Sequence, residues 1–318
     1  MGARRDRSVE LQLLRGRMSS PVRAERRLVR AHREVPTTLK RRRHRPGSVW
    51  AITMVRNEED AIGPAVAHYA DQGVDGLIVA DNGSTDATRQ ILEEARADAP
   101  LHVVGDRLFE FFQATKMTML AELARRAGAD WVIPFDADEL WFARGARLKP
   151  FLSDLDVDIV RATIHNVFPS HEDDVSEANP FSRLRRIDTS AHRMWKVAFR
   201  PQRLFSICKG NHDVQMRGRV GDGLFVAHFP WRTKQQVVEK VTGGVRAADA
   251  AQQSERHSRH WRAMAKWSEA EIDRNWDTLL AGESIDEMIW TPQGDLREVD
   301  VTSWTAWGLE SRPPECAQ

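Results

Sequence analysis

From Val49 onward the chain runs in blocks of apolar residues that each stop at a polar cluster. Val49-Trp50-Ala51-Ile52-Thr53-Met54-Val55 is almost wholly apolar, and Arg56-Asn57-Glu58-Glu59-Asp60 follows at once. A short apolar run without alternation predicts a strand buried on both faces. The pattern repeats: a helix is predicted over 61–72, then a second buried strand in Gly76-Leu77-Ile78-Val79-Ala80, which ends in Asp81-Asn82-Gly83-Ser84-Thr85-Asp86. Asn-Gly marks a turn, and Ser84 or Thr85 can cap a helix over 87–96. A third strand over 101–104, a helix over 113–127 and a fourth strand over 131–135 complete the series. Repeats at this spacing are βαβ units with right-handed crossovers. Every polar cluster follows a strand, so all of them fall on one edge of one sheet. The fold class is α/β, a mostly parallel sheet flanked by helices.

Beyond this series the pattern predicts a strand over 157–164 that leads into a polar segment, His165 to Asp174. Another strand is expected over 194–201, with 203–208 as its partner. Helices follow over 235–241, 258–267 and 269–280, where Trp261, Met264, Trp267, Ile272, Trp276 and Leu280 recur at helical spacing. Such a stripe is read first as packing and second as a groove for a sugar. The tail from Thr291 carries Trp304 and Trp307 without a motif. Three regions result: an arm over 1–46, helical or disordered; a body over 47–232; and a helical C-terminal appendage over 233–318.

Charge divides the chain more sharply than its total suggests. The net charge is +1, yet residues up to Pro46 hold 15 Arg or Lys against 4 Asp or Glu, so the arm carries 15 − 4 = +11 and the remainder 1 − 11 = −10. An Arg-rich arm could tether the protein to an anionic membrane surface or to nucleic acid, or be a solvated extension, and nucleic acid is not expected as a partner. Eleven Trp argue against disorder of the chain as a whole. Cys208 and Cys316 are far apart and form no Cys-x-x-Cys pair, which excludes a disulfide scaffold and a thiolate metal site. With no apolar run of membrane-spanning length and no signal-peptide core, a cytoplasmic location is expected, with peripheral contact at the inner face of the membrane.

The chemistry concentrates where the fourth strand stops, in Trp131-Val132-Ile133-Pro134-Phe135-Asp136-Ala137-Asp138-Glu139-Leu140-Trp141. Ligands of α/β sheets sit at the carboxyl edge of the strands. There Asp136 and Asp138 can converge on one hard divalent cation and leave coordination positions for phosphate oxygens. The plainer possibility is an acid cluster that caps the next helix. Asp81, with Asn82 beside it, could accept from a base or ribose; Arg56, Asn57 and Glu58 could line the same crevice; and Lys116 could reach a base or phosphate. Each could equally be a turn, cap or solvated helix residue, but three clusters on one edge favour a nucleotide pocket.

The segments Val55-Arg56-Asn57-Glu58-Glu59, Val79-Ala80-Asp81-Asn82-Gly83-Ser84-Thr85-Asp86 and Trp131 to Glu139, in this order and spacing, resemble the family 2 glycosyltransferases of GT-A (Rossmann-like) fold. The resemblance runs from about Val49 to about Trp141. It implies a UDP or GDP sugar donor, Mn²⁺ or Mg²⁺ held by the Asp-x-Asp motif, and inversion at the anomeric carbon. It also implies that Asp81 contacts the base, that Val55 to Glu58 line the nucleotide, and that Asp136 and Asp138 serve the metal and diphosphate. A late His that completes the metal site in such enzymes points to His212, with His228 as its rival. The Glu-Asp at a helix start that many relatives use as base is not evident, which leaves Asp173 or Asp174 in the polar segment as the candidate. The expected function is transfer of a sugar to a saccharide, lipid-linked or other hydroxyl acceptor. The alternatives are a metal-dependent nucleotidyltransferase or phosphohydrolase, which needs the same carboxylates, and a catalytically silent nucleotide-binding scaffold.

Overall fold

The computed structural model describes residues 4–5, 8–110, 112–250, 262–286 and 288–309. The arm begins with two helices, α1 (Ser8–Met18) and α2 (Ser20–Ala31). The body follows as β1 (Val49–Val55), α3 (Ile62–Asp71), β2 (Gly76–Asp81), α4 (Thr88–Ala95), β3 (Leu101–Asp106), α5 (Gln113–Arg126) and β4 (Trp131–Pro134). Next come β5 (Glu139–Ala143), β6 (Ile159–Phe168), β7 (Trp195–Phe199) and β8 (Gly218–His228), then α6 (Lys234–Ala250) and α7 (Glu269–Leu280).

The long strands lie in the order β8-β6-β7-β4-β1-β2-β3. The β3-β2-β1-β4 portion is parallel throughout, as the βαβ pattern requires. Past β4 the sheet turns mixed: β7 is antiparallel to both of its neighbours, and β8 runs parallel to β6 while its end pairs with β5, placing His228 opposite Glu139. One face of the sheet packs on α3 and α4 through Val49, Ala51, Tyr69, Leu77, Leu92 and Trp131, and the other on α5 through Ile52, Ile78, Met117 and Leu120. Gly76 is set by crowding, since a Cβ there would lie 2.6 Å from the Trp50 ring, which stacks on His102.

Four expectations change. The strand predicted over 157–164 continues to Phe168, so His165 and Asn166 are strand residues rather than loop. Ser206–Ile207 pairs with Val214–Gln215 and not with β7. The arm is helical and docked: Arg17 and Arg26 meet Glu122 of α5, Val29 is buried beside Met119, and Arg33–Glu34 pairs with the β3 edge. The C-terminal stretch folds back on the body. Leu296–Glu298 pairs with Arg186–Asp188, and Trp304 and Trp307 pack against Phe142. Met264, Trp267 and Trp276 gather with Trp231 and Leu279, so the aromatic stripe is packing; Trp261 and Cys316 lie outside the described residues, as does much of the helix predicted over 258–267. Among the described residues no helix is long and apolar enough to cross a membrane.

Candidate active site

The carboxyl ends of β1, β2 and β4 open onto one cavity of about 890 Å³, within the range of small-ligand pockets. On one side the chain turns out of β1 through Asn57, whose φ of 54° is left-handed. The Asn57 side-chain oxygen accepts from Thr85 N at 2.9 Å and its backbone N donates to Ser84 Oγ at 3.1 Å. Glu58 N donates to Thr88 Oγ1 at 2.8 Å. Arg56 donates to the Asn82 carbonyl at 2.9 Å and lies 4.7 Å over the Phe109 ring. The loops after β1 and β2 are thus stitched together, and they present Val55, Arg56, Asn57, Glu58 and Asn82 to the cavity. Asp81 stands just behind, accepting from Ser84 N at 3.0 Å, and is not among the lining residues. Lys116 is a correction to the sequence reading. It is buried against Asp106 at 2.8 Å and donates to the Leu108 carbonyl, so it braces the β3 end instead of facing the cavity.

The opposite wall is ionic. Asp136 accepts from Lys196 Nζ at 2.6 Å and from Asn211 Nδ2 at 3.1 Å, so both of its oxygens are committed. Lys196 also meets Glu139 at 2.7 Å. Burial opposes the charge on Lys196, but Asp136 and Glu139 outweigh it and raise its pKa, while burial pushes Glu139 up to about 7. Asp138 faces Lys240 Nζ at 2.5 Å, His228 Nε2 at 3.7 Å and Arg232 Nη1 at 3.8 Å. Burial would raise the Asp138 pKa; the charges of Lys240 and Arg232 overcome it and hold the carboxyl well below the usual range. Arg232 in turn grips Asp60 at 2.7 and 3.0 Å and Glu58 at 2.5 Å, tying the end of β8 to the β1 loop.

Asp138 and His228 fit a divalent ion as a pair. His228 Nδ1 bonds Asn166 Oδ1 at 2.8 Å, which puts the ring proton on Nδ1 and turns the Nε2 lone pair toward Asp138. Burial lowers the His228 pKa to about 3, so the ring is neutral as a ligand must be. Among the described residues no three His, Cys, Asp or Glu side chains form a closed cage. A two-ligand site completed by water and diphosphate oxygens is what Mg²⁺ and Mn²⁺ accept. His212 lines the cavity but bonds the Trp195 carbonyl at 2.8 Å, and the imidazole beside Asp138 is that of His228.

Asp173 and Asp174 do not reach the cavity: each accepts within its own turn, from Ser170 N at 2.7 Å and Ser176 N at 2.9 Å. The carboxylates that line it are Glu58, Asp136, Asp138 and Glu239. Arg232, Lys240 and Glu239 were missed at the sequence level. Only the closeness of Arg232 to His228 in the chain could have pointed to it.

An established family model, Glycosyl transferase family 2, matches residues 50–210. Glycosyltransferase AglJ of Haloferax volcanii is 39% identical over 59 residues, which is 19% of this chain and 18% of that protein, so the chain spans well under two thirds of that relative. Among solved structures, S. aureus TarS 1–349 aligns over 69% of this chain and 70% of its own at 14% identity, TM-score 0.37. Glucosyl-3-phosphoglycerate synthase from Mycobacterium tuberculosis, solved with Mn²⁺, UDP and glucosyl-3-phosphoglycerate, aligns over 37% of this chain and 44% of its own at 19% identity, TM-score 0.28. The family match covers just over half of the 318 residues and takes in both the Arg56–Glu58 turn and the Asp136–Asp138 wall, and on that ground the chain belongs to glycosyl transferase family 2.

Proposed function

We propose that this protein transfers a sugar from a nucleotide-diphosphate donor, a UDP or GDP sugar, to a hydroxyl acceptor, with a divalent metal and inversion at the anomeric carbon. The observation that carries the reading is the meeting, in one cavity, of a hydrogen-bonded turn suited to a nucleoside and an Asp138–His228–Arg232 group suited to a diphosphate. Asn57, Glu58 and Asn82 line the nucleoside end, with Asp81 supporting the turn from behind. Mn²⁺ or Mg²⁺, held by Asp138 and His228, would supply Lewis-acid stabilisation of the departing diphosphate. Arg232 adds fixed charge there, and its buried Nη1 has no hydrogen-bond partner among the described residues, leaving a donor for a phosphate oxygen.

Inversion requires the acceptor oxygen to attack opposite the leaving diphosphate while a base takes its proton. Glu239 suits that role better than Asp173 or Asp174. It is exposed on α6, lines the cavity, and among the described residues has no cationic partner, only the Gln235 amide at 2.8 Å. On the outer face of α2, exposed Arg23, Arg27 and Arg30 beside Leu28 support peripheral contact with an anionic membrane.

The test is a melting-temperature screen of UDP, GDP, CDP and dTDP sugars with and without Mn²⁺, followed by analysis of the product anomer. One donor is expected to stabilise the fold in a metal-dependent way, by about 2.7 kcal/mol at a hundredfold excess over Kd. Glu239→Gln is expected to keep donor binding and lose turnover. Absence of stabilisation by every donor would remove the reading.

A further inference from the structure

Lys240 holds a position that the chemistry of Asp138 does not leave to it permanently. Its ammonium sits 2.5 Å from Asp138 Oδ2, the same oxygen that lies 3.7 Å from the His228 Nε2 lone pair. A divalent ion bound by that oxygen and that nitrogen would enter the space beside the ammonium, and the repulsion between the two cations would favour displacing the one held less firmly. The two cations of this wall differ in how firmly they are kept. Arg232 is 1% exposed and anchored on Glu58 and Asp60. Lys240 is 28% exposed, and among the described residues it meets, besides Asp138, the Pro230 carbonyl at 3.4 Å and the face of Trp231 at 5.7 Å.

The helix that bears it has a firm and a weak part. Val237 and Val241 are buried with Trp231 and Met264, while Gly243 and Gly244 stand one turn further on, facing the cavity. A Cβ at Gly243 would meet nothing within 4 Å, so crowding does not explain a residue that weakens the helix there. Lys234 on Asp273 and Asp249 on Arg262 tie the two ends of α6, and the contact between Lys240 and Asp138 is the polar strap from its middle to the wall of the site.

Resting on the function proposed above, we infer that Lys240 is a resident cation that occupies the metal position of the empty enzyme and is exchanged for the divalent ion that enters with the donor. The exchange gives the buried Asp138 a partner at every stage and loosens α6 when metal arrives. Replacing the side chain leaves Asp138 with Arg232 and His228, so the site itself persists.

The experiment measures Mn²⁺ binding by electron paramagnetic resonance, without donor, in the full chain and in Lys240→Met. If Asp138 is free of Lys240 about a tenth of the time, the variant binds Mn²⁺ roughly tenfold more tightly. Equal or weaker Mn²⁺ affinity in the variant would overturn the inference. Should Lys240→Met fail to fold, hydrogen exchange of the wild-type chain decides: amides of 234–250 are expected to exchange faster with Mn²⁺, and unchanged or slower exchange would overturn it. UDP-sugar binding is measured in parallel by calorimetry. Donor binding with equal Mn²⁺ affinities defeats only the exchange, whereas no donor binding by the wild-type chain defeats the functional reading and the exchange with it.

Discussion

The two walls of the cavity are built by different physics. The wall proposed to face the nucleoside is held by neutral hydrogen bonds between residues 27 to 30 apart in sequence: Asn57 to Ser84 and Thr85, and Glu58 N to Thr88. The wall proposed to face the diphosphate is held by buried charges much further apart, 60 residues for Lys196 and Asp136, 102 for Lys240 and Asp138, and 174 for Arg232 and Glu58. A neutral turn fixes shape at little cost, because water can replace a lost partner. A buried ion cluster stores transition-state stabilisation, but it also exposes the fold to the loss of any one member.

The difference is tested most severely at Arg232. Arg232→Met leaves Glu58, Asp60 and Asp138 without the guanidinium that neutralises them, and is expected to destabilise the fold by about 3–5 kcal/mol, the usual cost of breaking a buried ionic network from one side. Denaturant unfolding measures it, and turnover should be lost as well. A loss under about 1 kcal/mol, the range of a surface pair, would mean that the wall is held by packing and that the contrast between the two sides is false.

The same contrast explains what could be read from the sequence. The parallel half of the sheet was legible because each element announces itself within a few residues, from the apolar run of Val49–Val55 to the Asn82-Gly83 turn. That Asp136 and Asp138 would stand at the carboxyl edge of the sheet was legible for the same reason, since they are neighbours at a strand end. Which of His212 and His228 would stand beside Asp138 was not, since it depends on the register that sets His228 opposite Glu139 across β8 and β5. Lys116 misled because an unpaired Lys and one buried on Asp106 look alike in sequence. Lys240 and Glu239 were hidden because a helix after the last strand gives no sign of which way it folds back.

A second test is pH, to which the ionic wall should respond and the Asn57 turn should not. Burial lowers His228 to about 3, and likewise His68 and His212 to about 4 each, from an ordinary 6.5. The unfolded chain takes up these protons as pH falls through 6.5 and the folded chain refuses them, so their contribution to stability is lost on acidification. Glu139, raised to about 7, works in the opposite sense: the folded form keeps a proton that the unfolded form has released, and that contribution is lost as pH rises through 7. His102, His165 and His192 are lowered by burial as well, against Glu58 and Asp173 raised along with Glu139, and this excess of lowered histidines makes stability rise with pH between about 4.5 and 6.5. His228→Gln should flatten the curve by up to about 1.4 kcal/mol per pH unit, the value of one proton, while substitutions at Asn57 or Asn82 leave the slope untouched. An unchanged slope in His228→Gln would show that its ring titrates normally.

The smallest effect is expected at Asn57, on the neutral wall. Its φ of 54° costs most side chains about 1–2 kcal/mol, and its own oxygen, accepting from Thr85 N, offsets part of that. Asn57→Ala is therefore expected to lose about 1–2 kcal/mol of stability, and Asn57→Gly less, since glycine adopts that φ freely and gives up only the hydrogen bond. On the proposed function the turn would hold the nucleoside in ground and transition state alike, so both variants should raise the KM for donor with little change in kcat. Arg232 acts where charge develops, and should lower kcat. If Asn57→Gly lowered kcat as strongly as a substitution of the ionic wall, the turn would be positioning the reacting carbon and not merely the nucleoside, and the two walls would have to be treated as one device.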